Sequence, residues 1–297
     1  MPAPRLASLL AAACLLLAAA PAAAAVSVTY AASIYADAAD RPLKDVEGVA
    51  CGAGGQISVA DTGNGRILRY LVADKQVQPL AEWRFAELPY PTRLQLDAQG
   101  NLLVLDRKVQ RLGRVDPQGK FLGYVAFQGV PGPVVPGAFK VEGESLYVLD
   151  LATVSVLVSD LAGNVARRLD LPRGEPAFTD VAVDPAGTVY AVDAAGVAIW
   201  AAERGAGAFK TITRNLRDAV SFPVYAAVSS GRIFLVDQAG NGLVALGLDG
   251  TFQGRFLAMG RGGGAVFYPA QICIGDAGWA ALADRGNNRV QLLSLTR

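Results

Sequence analysis

The 297-residue chain contains no histidine. That one absence excludes His-ligated zinc, a Ser-His-Asp triad, a Cys-His nucleophile pair and CxxCH haem attachment. Cysteine is scarce, with Cys14, Cys51 and Cys273 the only three. An excess of charge of either sign is lacking as well: 27 basic residues stand against 26 acidic ones. The electrostatic footprint of a nucleic-acid binder is therefore missing. Beyond the first 25 residues no apolar run is long enough to span a bilayer, and no Pro/Ser-rich linker or charge block divides the chain.

The opening stretch, residues 1 to 25, has one early positive charge, Arg5, then a short apolar run and a small-residue segment with an A-x-A cleavage site. It reads as a secretory signal peptide cut after Ala25. The expected location is therefore the periplasm or the exterior. A lipoprotein signal is disfavoured because in "LAAAC" the leucine, Leu10, lies four residues ahead of Cys14 rather than three. Removing the leader takes Arg5 with it, leaving 26 charges of each sign and two cysteines.

What the sequence does contain is a repeat. Six short alternating apolar runs close on an aspartate, at Asp61, Asp106, Asp150, Asp193, Asp237 and Asp284, spaced 45, 44, 43, 44 and 47 residues apart. Eight or nine residues before each aspartate ends another short strand, followed by Asp, Gly, Pro or Ser, the residues a tight hairpin needs. Behind each aspartate come a five- or six-residue loop, a third strand and, in most units, a fourth. Four short strands per period of about 44 residues predict an all-β, six-bladed β-propeller occupying residues 26–297. The sixth unit runs out at Arg297 after its third strand, while "VSVTYAASIY" near Val26 is a strand without a blade. That strand is expected to complete the last blade and remove the free edges.

Within this pattern "VADTGNGRI" (59–67) and "LADRGNNRV" (282–290) resemble the core of NHL repeats, in which Asp, Asn and Arg recur between the second and third strands of a blade. "VLDRKVQRL" keeps the Asp and Arg, and the other three copies keep little beyond the Asp. The resemblance covers the chain after the leader and implies architecture more than activity. One relative in it, the peptide-amidating lyase domain, depends on histidine-bound zinc, which this chain has no residues to hold. Another, the NHL domain of RNA-binding regulators, uses a basic face that zero net charge does not provide.

One aspartate per unit at the same strand end is the pattern of a loop cap, the carboxylate accepting backbone amides. Arg66, Arg111 and Arg289, each five residues further on, read as structural partners worth about 0.2 to 1 kcal/mol if exposed. Function is expected where the units differ. Four residues before the hairpin turn, the six inner strands carry Gly48, Arg93, Ala138, Asp180, Tyr225 and Gln271, with Glu47 one step earlier. This mixture of charge, amide and aromatic at the channel mouth is either a ligand-binding ring or a set of solvated loop residues. Glu47 and Asp180 together are the only carboxylates placed to ligate calcium there.

Cys51 and Cys273 fall in inner strands of the first and sixth units, neighbours once the ring closes, with side chains on opposite faces of their sheets. They either meet across the blade interface as a disulfide or are two small core residues. The roughly 10 Å between packed sheets, against the ~7 Å between Cα atoms that a bridge allows, weighs toward the second. The glycine-rich stretch 259–269 precedes a strand, so it cannot form a P-loop, and is expected as a mobile loop on the mouth face. The functional expectation is a monomeric, exported, non-catalytic module that binds a protein, peptide or glycan, needing no cofactor. The alternative is a calcium-dependent hydrolase or lactonase-like enzyme.

Overall fold

The computed structural model describes residues 26–73, 76–174, 176–213 and 216–296, so the predicted leader lies outside the described residues. Alternating apolar segments form six four-stranded antiparallel sheets arranged as the blades of a propeller. In blade one the strands are Val46–Cys51, Gln56–Asp61, Arg66–Ala73 and Gln76–Trp83, running from the channel outward. Blades two to five repeat this order, with inner strands Pro91–Leu96, Pro136–Glu142, Phe178–Val183 and Pro223–Ser229. Blade six is assembled from both ends of the chain. Ser27–Ile34 pairs with Arg289–Thr296 outside the strands Ile272–Ile274 and Trp279–Asp284. The ring is thereby closed by backbone hydrogen bonds.

Each second strand is buried along almost its whole length, because the blades pack face to face and cover both sides of their middle strands. The apolar clusters accordingly lie between blades: Val49, Ile57 and Val59 of blade one pack with Ala281, Ala283 and Val290 of blade six.

The same junction carries a disulfide between Cys51 and Cys273, with Cα atoms 5.5 Å apart. The 10 Å sheet spacing does not apply here, because blades are wedges whose inner strands converge on the axis. Among the described residues, no helix is long and apolar enough to cross a membrane.

Each aspartate does the same local work. Asp61 accepts the amide of Lys44, Asp106 that of Tyr90, Asp150 that of Val135, Asp193 that of Ala177 and Asp284 that of Phe267; Asp237 takes both Ser221 and Phe222. All six are buried. Every one thus pins the loop that enters its own blade, while groups of the following turn, such as the Val109 amide or the Asn287 amide nitrogen, fill remaining acceptor positions. Four residues on, each turn has a left-handed residue: Gly65, Gln110, Val154, Val197, Asn241 and Asn288. Glycine and asparagine suit that conformation; the two valines do not.

The three arginines part company. Arg66 donates to Asp61 at 2.6 Å and to Asp37 at 2.5 Å, and Arg289 donates to Asp284 at 2.7 Å and to the Tyr35 hydroxyl at 3.0 Å; both side chains are only 2% exposed. Both are therefore structural partners of their aspartates, as buried ion pairs to which the ~0.2 to 1 kcal/mol of an exposed pair does not apply. Arg111 is exposed and lies over the Tyr124 ring, 3.8 Å from its centre.

Arg289 and Gln291 also bind the glycine-rich stretch, through the carbonyls of Arg261, Gly262 and Ala265 and the Gly264 amide. Five side-chain hydrogen bonds thus tether this loop to the last strand of the chain.

Candidate functional site

The channel is lined by six inner strands, each an edge strand whose outward N–H and C=O groups need partners. In blades one to five a bulge interrupts the inner strand near its start, at Val46/Gly48, Pro91/Arg93, Pro136/Ala138, Phe178/Asp180 and Pro223/Tyr225. A bulge inserts one unpaired residue and re-aims its side chain. The inserted residues Glu47, Thr92, Gly137, Thr179 and Val224, with Ala270 of blade six, form one ring at the entry end of the strands. The six residues aligned from the sequence form the next ring down.

That second ring is a polar plug rather than a mouth. Asp180, Tyr225 and Gln271 are buried, and Arg93 is nearly so. The Gln271 side chain donates to the carbonyls of Val49 and Leu94, at 2.9 and 2.8 Å, and to the Tyr225 hydroxyl at 3.3 Å; it accepts the Leu94 amide. Asp180 accepts the Ala226 amide at 2.7 Å and the Arg93 guanidinium at 3.2 Å. Arg93 also donates to the carbonyls of Thr179 and Val224. Side chains of blades two, four and six thus satisfy backbone edges of blades one, two, four and five. At the ring position of blade one only glycine fits, since a Cβ on Gly48 would come within 2.8 Å of the Thr92 carbonyl oxygen.

One member escaped the sequence alignment. Lys140, two residues beyond Ala138, places its ammonium 3.5 Å from the centre of the Tyr225 ring and 3.8 Å from Asp180, while Arg93 stacks over the same ring at 5.1 Å. Two cations thus share one ring face system and one carboxylate. The alternation of the strand was a usable signal: Ala138 and Lys140 share a face.

The plug separates two cavities. The lower one, about 210 Å³, is lined by Lys140, Tyr225, Gln271 and the Cys51–Cys273 bridge. The upper one, about 430 Å³, opens on the face where the inner strands begin. Glu47 is buried at its rim, held by both terminal nitrogens of Arg107, at 3.3 and 2.5 Å, with the Arg285 Nε 3.6 Å away. Glu47 and Asp180, the pair considered for calcium, each have arginine rather than one another as partner. Among the described residues no group of three or more His, Cys, Asp or Glu side chains is placed to hold a metal ion.

No protein-family model matches this chain, and no curated protein matches it. Solved structures do. Virginiamycin B lyase from Staphylococcus aureus is similar over 91% of this chain and 100% of its own, with a TM-score of 0.62 at 12% identity. A gluconolactonase from Xanthomonas campestris is similar over 91% and 98%, with a TM-score of 0.66 at 18% identity. The PQQ-bound aldose sugar dehydrogenase from Streptomyces coelicolor is similar over 92% and 99%, at 0.65 and 16%. Identities this low carry the propeller fold and no activity.

Proposed function

We propose that this chain is an exported, non-catalytic propeller of NHL type, binding a protein, peptide or glycan partner on the face where its inner strands begin. The observation that carries this reading is the upper cavity and its surroundings. Leu151, Phe222 and Tyr268, all from loops on that face, are 50%, 42% and 46% exposed. Large apolar side chains left in water around a concave site are a mark of recognition surfaces. The polar groups of the channel, by contrast, are spent on one another and on backbone edges. Export is supported by the signal-like leader and by the disulfide, which persists in oxidising compartments. The rival reading, a calcium-dependent hydrolase, has to contend with carboxylates already engaged by arginines.

The test is cross-linking and capture from bacterial envelope extracts, comparing the wild-type chain with Leu151→Asp and Phe222→Asp. A partner held by the wild type and lost by both variants is the expected result. The same partners for all three, or none, would overturn the loop-face assignment.

A further inference from the structure

We infer that the upper cavity binds the free carboxylate end of a peptide whose last residue is apolar, an inference that rests on the loop-face reading above. Charge is the first argument. Three cations line the cavity, Arg93, Arg107 and Arg285, against one carboxylate, Glu47. In a chain with 27 basic and 26 acidic residues overall, this local surplus is a property of the site. Arg107 spends both terminal nitrogens on Glu47, but Arg285 approaches it only through Nε at 3.6 Å, beyond hydrogen-bonding distance. The terminal nitrogens of Arg285 meet no partner among the described residues. A guanidinium fork presented at the rim of a concave site is built to take a carboxylate in bidentate fashion.

Shape and polarity supply the rest. The same cavity is lined by Leu149, Leu151 and Phe178, with Leu151 half exposed. A volume of about 430 Å³ suits one or two residues rather than a folded surface. A carboxylate set beside an apolar side chain meets both walls. An acidic sugar could reach Thr92, Thr179 and Gln238 with some hydroxyls but would set others against leucine and phenylalanine, a cost that an apolar side chain does not meet.

The disulfide-intact chain should be titrated by calorimetry with three probes: acetyl-Ala-Ala-Phe with a free C-terminus, the same peptide as its C-terminal amide, and galacturonate. Saturable binding of the free acid, weaker by roughly tenfold for the amide, is the expected result. Arg285→Gln should weaken the free acid by a similar factor. Glu47→Gln should tighten it by releasing Arg107 and removing a competing charge, a gain that a purely structural role for Glu47 would not produce. Equal binding of acid and amide, a preference for galacturonate, or no saturable binding would overturn the inference. If all three probes fail while Leu151→Asp still abolishes partner capture, the carboxylate inference falls and the loop-face reading stands.

Discussion

The turns after the second strands of blades one and six can be set against those of the four blades between them. All six have a buried aspartate performing the same backbone capping, yet only the first and last keep a buried arginine beside it. The segment that follows the ring-closing strand explains why. Asp37 lies on Arg66 and Tyr35 lies on Arg289, so one short stretch roofs both arginines. In blade two no such roof exists and Arg111 remains on the surface. Blade five reaches a third solution: Gly242 leaves room for Arg255 of the outer strand to donate to Asp237 at 2.9 Å. Full preservation of the motif therefore marks where the ring is sealed.

The largest expected effect breaks that seal. Arg289→Ala leaves Asp284 buried beside an empty site and should cost about 3 to 5 kcal/mol in urea unfolding. Removing the disulfide with Cys51→Ala and Cys273→Ala should cost about 2 to 4 kcal/mol, read in the same titration. Both act at the blade one to blade six junction, so their sum should fall short of additive if one opening event releases both.

Asp37 gives the comparison a pH dependence. Burial raises its pKa, but the Ala39 and Arg41 amides and the Arg66 and Arg41 side chains outweigh this and hold the carboxyl well below the usual carboxylate range. A pKa depressed in the folded state means stability that is complete at neutral pH and is lost as pH falls below about 4. Acid unfolding of Asp37→Asn should accordingly be less steep than that of the wild type; superimposable curves would contradict the roof. Smaller still, Val154→Asn should stabilise by up to ~1 kcal/mol in thermal unfolding, because it relieves a β-branched residue of a left-handed conformation in a middle blade. Arg111→Ala should change stability by less than about 0.5 kcal/mol.

Much of this was legible from the chain. The regular spacing of the six aspartates specified the blades, and the orphan strand before blade one specified the closure. Of the aligned ring, Arg93, Asp180, Tyr225 and Gln271 do converge. Their depth was not legible. The bulges that lift Glu47 and Thr92 into the mouth and drop Arg93 below it depend on strand pairing, and only the prolines at 91, 136 and 223 hint at them. The disulfide was obscured for a related reason: an average sheet spacing says nothing about wedges that narrow toward an axis. Arg255 could not be assigned to Asp237 because a side chain from a different strand took the place of the repeat's own arginine.

The measurement closest to the central claim is a double-mutant cycle in urea unfolding between Arg66→Ala and Asp37→Ala. If the closing segment roofs the motif, the two substitutions should be coupled by about 1 to 3 kcal/mol. Coupling indistinguishable from zero would mean that the best-preserved copies of the repeat owe nothing to ring closure.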